Sequence, residues 1–196
     1  MPSYREYLNP STDEWIQYLE TGEETGGERV RYRWRSLPGG KIPDHFHPFQ
    51  DEVFAIDSGE AHFTVNGREV VGRPGETVVV PAGARHNEWN PGTEEAVGVV
   101  ELRPALKSKE LHEMFAGYTN DGMTASSGAP RNPLRLAVTF WYFRRDIRVS
   151  SPPPWLQNLF LPPLAALGRL CGYKPYYDRW DSRTEPPADL SGLTEG

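Results

Sequence analysis

Cysteine and long apolar segments are both scarce in this chain of 196 residues. Cys171 is the single cysteine, so neither an intramolecular disulfide nor a cysteine cluster for zinc can form. The longest apolar stretch, residues 155–173, is interrupted by Pro162-Pro163 and contains Arg169. It falls short of the about 20 uninterrupted apolar residues that cross a bilayer. The sequence therefore predicts no thiol redox chemistry and no transmembrane span.

The chain also has no excess of basic residues. It contains 21 Lys and Arg and 27 Asp and Glu, which gives a net charge of −6. Nucleic-acid binding depends on a basic surface, so neither DNA nor RNA is an expected partner. The first eight residues have neither the basic region nor the apolar run of a secretion signal. We therefore expect a cytoplasmic protein.

Glycine and proline, in contrast, are abundant, with 19 residues of each. This composition indicates many turns and disfavours an all-helical bundle. A strict alternation places Val30, Tyr32 and Trp34 on one face of a strand and four arginines on the other. Residues 14–21 fit either a helix or a strand. We favour a strand, because the glycines that follow can close a hairpin onto the alternating segment.

Further short strands are predicted between turn sequences such as Asn66-Gly67. They cover residues 51–57, 60–65, 68–71, 77–80, 87–89 and 94–102. Short strands at this regular spacing indicate an antiparallel barrel or sandwich that occupies residues 13–104. An N-terminal arm at 1–12 is expected to precede it.

Helical patterns replace the strand patterns beyond Pro104. The predicted helices cover residues 106–117, 134–149 and 156–170, with a polar loop at 119–133 between the first two. The last two helices are expected to cover an apolar surface, either the flank of the barrel or a second subunit. We expect this helical extension to span residues 105–180 and a disordered tail to follow at 181–196.

Three histidines and one glutamate carry the most informative pattern in the chain. Residues two apart on a strand share a face, so His45 and His47 can present their imidazoles to one point. Glu52 can reach that point from the next strand, and His86 from a more distant one. Three imidazoles and one carboxylate suit a divalent ion such as Fe(II), Mn(II), Ni(II), Co(II) or Zn(II). Burying these four groups in an apolar barrel without an ion would be costly.

The spacing around these residues resembles the two conserved motifs of the cupins. The first motif corresponds to Gly39, His45, His47, Glu52 and Gly59, and the second corresponds to Gly75, Pro81, Gly83, His86 and Asn90. The resemblance implies a mainly β fold, a double-stranded β-helix or jelly-roll barrel with a metal in its mouth, here with a C-terminal helical extension. It also implies that His45, His47, Glu52 and His86 are the metal ligands.

Other side chains are expected near this site. Glu88 shares the strand parity of His86, which makes it a candidate acid–base catalyst or substrate anchor; the alternative is an exposed carboxylate at the barrel rim. The alternation also predicts an aromatic-walled pocket for an apolar or ring-bearing small molecule. Its expected lining residues are Phe54, Ile56, Tyr32, Trp34 and Asn90. His62 and His112 match neither motif and are expected at the surface.

Cupins with this ligand set include dioxygenases, oxalate-degrading enzymes, isomerases, lyases, cyclases and proteins without catalysis, so the fold does not select one activity. We expect a metal-dependent, dioxygenase-type oxidoreductase that acts on a small aromatic or polyketide-like substrate, with Fe(II) or Mn(II) as the preferred ion. Non-redox lyase, isomerase or cyclase chemistry remains open, as does a non-catalytic module that binds a small ligand. A homodimer is the expected assembly.

Overall fold

The computed structural model describes residues 4–125 and 128–183, and two antiparallel β-sheets dominate its first part. The strands are β1 (Tyr7–Asn9), β2 (Glu14–Glu20), β3 (Val30–Ser36), β4 (Lys41–Phe46), β5 (Asp51–Ser58), β6 (Ala61–Val65), β7 (Arg68–Gly72), β8 (Thr77–Val80), β9 (His86–Trp89), β10 (Ala96–Arg103) and β11 (Arg148–Val149). The helices are α1 (Ser108–Asn120), α2 (Pro133–Tyr142) and α3 (Pro154–Leu170), followed by a 3₁₀ turn at Asp178–Trp180.

The order of the strands gives the architecture. One sheet has the order β1-β2-β3-β10-β5-β8, and the other has the order β11-β4-β9-β6-β7. From β3 to β10, most consecutive strands, such as β4 and β5, lie in different sheets, so the chain crosses repeatedly between two layers around one interior. The predicted mainly β jelly roll with a C-terminal helical extension is confirmed.

The alternating pattern of β3 builds the barrel core as the sequence indicates. Val30, Tyr32 and Trp34 are buried, whereas the arginines between them are partly or fully exposed. Tyr18 of β2 stands opposite Tyr32 in an antiparallel pairing, so the strand that we favoured at 14–21 is confirmed at Glu14–Glu20. One face of β2 and of β3 therefore fills the interior, and the other face is more exposed to solvent.

The prediction of one helix at 134–149 is wrong at its C-terminal end. Asn132 caps α2 by accepting hydrogen bonds from the first free amides, and Pro133 follows at the first helical position. The helix stops at Tyr142, and Arg148–Val149 forms β11 on the edge of β4 instead. The open edge of β4 offers backbone partners that a continued helix would leave unused, and short edge pairing of this kind has no periodic sequence signal.

The helix predicted at 156–170 is confirmed as α3, with Pro162 and Pro163 inside it. Ala165 of α3 packs against Ala137 and Val138 of α2. Within the described ranges, no helix combines the length and the hydropathy needed to cross a membrane.

Three of the predicted segments extend outside the described residues. The N-terminal arm predicted at 1–12 lies outside them at residues 1–3. The disordered tail predicted at 181–196 lies outside them from residue 184 onward. The polar loop predicted at 119–133 begins later than expected because α1 continues to Asn120, and residues 126–127 of this loop are outside the described ranges.

Gly59, at the turn after β5, provides a test of the close packing between strands. Its φ is +72°, and an added Cβ would overlap the Glu95 carbonyl and lie 2.8 Å from Ala96 Cα. Gly67 has a similar φ of +79° but has no atom within 4 Å of such a Cβ. We expect Gly67→Ala to cost about 1–2 kcal/mol from the left-handed backbone alone. Gly59→Ala should cost about 1–3 kcal/mol more because backbone must move.

Urea denaturation of the two alanine variants measures this difference, and Gly67→Ala serves as the matched control. Equal losses of unfolding free energy would contradict the proposed contact between Gly59 and the Glu95 backbone.

Candidate metal centre

The four side chains of the predicted ligand set converge between the two sheets. His45 lies at the end of β4 and pairs in register with His86 of β9, while His47 follows β4 directly. Glu52 approaches from β5 in the other sheet. All four residues are buried, and one potential ligand atom from each lies within 4.8 Å of the others.

Backbone carbonyl groups hold the three imidazole rings in one tautomer. His45 Nδ1 lies 2.8 Å from the Pro43 carbonyl oxygen, and His86 Nδ1 lies 3.1 Å from that of Ala84. His47 Nδ1 lies 2.6 Å from the Asp146 carbonyl oxygen. A carbonyl oxygen can only accept a hydrogen bond, so each Nδ1 must carry the proton and donate it. In the neutral rings, each Nε2 is therefore left with a lone pair.

The lone pairs of His47 and His86 meet no hydrogen-bond donor in the part of the chain that the structure describes. Among the described residues, Nε2 of His47, Nε2 of His86 and Oε2 of Glu52 are buried without a hydrogen-bond partner that holds in the neutral rings. His86 Nε2 lies 3.0 Å and His47 Nε2 lies 3.4 Å from Glu52 Oε2. Lone pairs facing a carboxylate are unfavourable unless a proton or a metal cation stands between them. Three imidazoles and one carboxylate fit a divalent metal ion, and the cluster could hold one.

The electrostatics of the cluster also favour a positive charge at this point. Burial alone would raise the pKa of Glu52, but the neighbouring His47 and His86 hold it well below its usual range. Burial lowers the pKa of His45 far below 6.5, and the neighbouring imidazoles lower it further. Burial also opposes the charged form of His86, but contact with Glu52 outweighs it and raises the His86 pKa. Glu52 is therefore ionised, and its negative charge favours a cation beside it.

A cavity of about 370 Å³ opens onto this cluster. His45, His47 and Glu52 form part of its wall. The remaining wall is mostly apolar and comes from both parts of the chain. The barrel contributes Ile16, Tyr32 and Ile42, and the helical extension contributes Leu111, Phe115, Phe140, Ile147 and Val149. The extension therefore closes a pocket that the barrel alone would leave open.

His112 occupies a different place from the one expected, because it lines this cavity from α1 and is not at the surface. Its Nδ1 lies 3.3 Å from the Tyr18 hydroxyl, and its ring meets Tyr32 edge-on at 5.0 Å. Burial lowers the pKa of His112 to about 4, so its ring is neutral at pH 7. Nothing in the sequence around α1 marked this residue, because the face of a helix that meets a barrel is not readable from its own pattern.

Glu88 is neither on the cavity wall nor at the barrel rim. It is buried, and its carboxyl neighbours that of Glu14, which does line the cavity. Burial, followed by the charge of Glu14, raises the pKa of Glu88 well above its usual range, and burial raises the pKa of Glu14 to about 7. Trp34 Nε1 donates a hydrogen bond of 2.7 Å to Glu14 Oε1. Glu88 therefore keeps its proton at neutral pH, whereas Glu14 exchanges its proton near pH 7.

Only some of the other pocket residues expected from the sequence lie on the cavity wall. Tyr32 lines the cavity, whereas Trp34, Phe54 and Ile56 lie in the barrel core and not on the cavity wall. Asn90 stabilises the turn after β9, since its side chain donates to the carbonyls of Ser36 and Glu94. Shared parity along a strand places a residue inside the barrel, but the depth of the residue decides whether it meets the cavity.

Comparison with known proteins identifies relatives of this chain. Residues 32–100 match the family described as the cupin domain. An oxidoreductase of Arthrobotrys oligospora is 29% identical over 167 residues, which are 77% of this chain and 64% of that protein. The tetracenomycin polyketide synthase protein TcmJ of Streptomyces glaucescens is 34% identical over 74 residues, which are 38% of this chain and 50% of that protein. The chain thus spans between half and 64% of the length of these two relatives.

Among solved structures, a predicted oxalate decarboxylase from Thermotoga maritima matches with a TM-score of 0.47 and 20% identity. The match covers 52% of this chain and 92% of that protein. The two intact motifs, the jelly-roll strand order and the family match at 32–100 lead to one conclusion. Residues 32–100 form a cupin domain.

Proposed function

We propose that the protein is a metal-dependent enzyme of the oxidoreductase type that transforms a small aromatic or polyketide-like molecule. The observation that carries this proposal is the set of uncompensated imidazole lone pairs and one carboxylate at the wall of an aromatic cavity. The proposed metal ligands are His45, His47, Glu52 and His86, as the sequence motifs imply. The predicted cytoplasmic location remains a prediction.

A bound Fe(II) or Mn(II) ion would supply Lewis-acid and redox chemistry, with dioxygen as the co-substrate. The residues of the chain orient the ligands, balance charge and exclude water. The backbone-bonded imidazoles hold their orientation without help from the ion, and the carboxylate of Glu52 balances part of its charge. The extension covers the mouth and shields the reacting molecule from water.

The cavity wall indicates the class of substrate. Tyr32, Phe115 and Phe140 present aromatic surface, and about 370 Å³ is within the range of pockets for small organic ligands. A planar ring system can bury its apolar surface there and direct a polar oxygen towards the histidines. The name of one relative, a polyketide synthase protein, supports the same class.

Glu14 is the acid–base group that we propose for this cavity. It lines the wall, and its pKa of about 7 suits proton transfer at neutral pH. Burial raises the pKa of Glu14, and Glu88, which stands behind it as a neutral carboxyl, lowers that pKa. Glu88 would therefore act through Glu14 as a positioning residue and not as the catalytic residue expected from the sequence.

Non-redox cyclisation is the second candidate function. TcmJ and the polyketide synthase CurC of Streptomyces cyaneus, which is 31% identical over 74 residues, both carry polyketide synthase names. A protonated carboxyl beside a Lewis-acid site suits ring closure by proton transfer without an oxidant. Dioxygen consumption separates this reaction from oxygenation.

Metal content tests the ligand set directly. Protein purified with Mn(II) should hold about one ion per chain, and His86→Ala should lower the affinity by at least about tenfold, because one of four donors is lost. His62→Ala is the matched control, since His62 is a partly exposed histidine on β6 outside the cluster. Elemental analysis after dialysis gives the stoichiometry. Equal metal retention by the two variants would exclude this ligand set.

Turnover is tested with a panel of phenols, flavonoids and aromatic polyketides, using the Fe(II) and Mn(II) forms. We expect dioxygen uptake that matches product formation by mass spectrometry, with His47→Ala inactive and His62→Ala active. Product without oxygen uptake supports cyclase chemistry and rejects oxygenation. Ligand binding without any product under either metal rejects the enzyme proposal in favour of a binding module.

Glu14 gives a pH-dependent prediction for stability. Its pKa is about 7 in the folded protein but near 4.5 when unfolded, so ionisation favours the unfolded state as pH rises. Stability should be fully present at low pH and decline towards pH 8, by up to about 3 kcal/mol relative to Glu14→Gln. Urea denaturation with a chelator at pH 5 and pH 8 measures the effect. The exposed Glu60→Gln is the control, and the idea is refuted if Glu14→Gln and wild type share one pH profile.

A further inference from the structure

The helix α3 exposes an unusual amount of apolar surface. Ten large apolar side chains are exposed among the described residues, and six of them lie on this single helix. They are Trp155, Leu159, Phe160, Leu164, Leu167 and Leu170, with exposed fractions that reach 67% for Trp155 and 87% for Leu170. A continuous apolar patch of this kind marks an interaction surface.

The apolar residues of α3 face away from the protein. Gln157, Ala165 and Gly168 are buried on one side of the helix, where α2 packs. The opposite side follows the helical spacing and is apolar throughout. Its exposed residues are Trp155, Leu159, Pro163, Ala166 and Leu170, a stripe about 23 Å long. An ordinary surface helix shows the reverse pattern, with its polar face outwards.

The segment that carries this helix is strongly basic, although the chain as a whole is acidic. Residues 131–177 contain seven Lys and Arg and a single acidic residue, whereas the rest of the chain contains 14 basic and 26 acidic residues. The acidic residue, Asp146, is buried. Within the described parts of the chain, none of the seven cations forms an ion pair with a carboxylate, although many arginines of the barrel do. Their charge is therefore available to an external anion.

Several of these cations adjoin α3. Arg148 donates a hydrogen bond of 2.9 Å to the side chain of Asn158 on the helix. Arg169 is exposed in the last helical turn, and Lys174 is exposed four residues beyond its end. Arg135 stacks on the ring of Tyr173 at 4.9 Å. The apolar stripe thus has positive charge near both of its ends.

We propose that α3 docks the protein on an anionic lipid bilayer. The stripe would lie in the plane of the interface with its leucines among the acyl chains, and the aromatic ring of Trp155 suits the headgroup level. The basic residues around it would contact the phosphate groups of anionic lipids. The alternative occupant is a second copy of this chain, which would make the expected homodimer. A symmetric contact through α3 would bring two basic segments together, and their repulsion disfavours it.

Vesicle co-sedimentation of the full chain tests this proposal. We expect the protein to sediment with vesicles of phosphatidylcholine and phosphatidylglycerol at least about tenfold more strongly than with phosphatidylcholine alone. Raising the salt from about 50 mM to about 500 mM should weaken the binding, because exposed charges are then screened. Binding that ignores both lipid charge and salt would overturn the electrostatic part of the proposal.

Substitutions at exposed positions identify the surface without disturbing the core. The triple variant Trp155→Ser, Leu159→Ser, Leu170→Ser should lose vesicle binding, and the pair Arg169→Gln, Lys174→Gln should weaken it. Leu19→Ser with Val79→Ser is the matched control, because it removes exposed apolar side chains from the barrel. Thermal unfolding verifies that each variant is folded.

Three outcomes would overturn the proposal. One is the absence of binding to anionic vesicles by the folded wild type. Another is a triple variant that is folded and binds vesicles as well as the control does. The third is a dimer on gel filtration that the triple variant converts to a monomer, with no vesicle binding by either protein, since a second copy would then be the occupant of α3.

Discussion

Three hydrogen bonds from imidazole Nδ1 atoms to backbone carbonyls determine what the centre of this protein can do. They fix the protons of His45, His47 and His86 on the outer side of each ring and direct the Nε2 lone pairs towards Glu52. Backbone carbonyls are held by the sheets and the extension, so this arrangement exists before any ligand binds. The demand for a cation follows from the fold and not from the ionisation of a single side chain.

The helical extension is part of the same centre. The carbonyl that orients His47 belongs to Asp146, which follows α2, and the Asp146 carboxylate accepts a hydrogen bond from the amide of Lys107 just before α1. Side chains of α1, α2 and β11 complete the cavity wall. The barrel supplies the four candidate metal ligands, whereas the extension shapes the pocket and carries the exposed apolar residues of α3 on its outer side.

Much of the fold and of the ligand set was predictable from the sequence, because both have short-range signals. The alternation of Val30, Tyr32 and Trp34 determines a strand and its buried face, and the spacing of His45, His47, Glu52 and His86 matches the cupin motifs. Contacts between distant segments had no such signal. The cavity role of His112, the pairing of Glu14 with Glu88 and the addition of β11 to β4 all depend on how the extension and the barrel meet. Strand parity does not give the depth of a residue in the barrel, so Trp34, Phe54 and Ile56 lie in the core and not on the predicted cavity wall.

The most direct test of this account is a crystal structure of the Mn(II)-loaded protein with anomalous scattering data. The account predicts one peak between the two sheets, at about 2.0–2.3 Å from Nε2 of His45, His47 and His86 and from a carboxylate oxygen of Glu52. The three Nδ1 atoms should keep their backbone carbonyl partners. A map without a peak at this point, or an ion held through Nδ1 of a flipped ring, would contradict it.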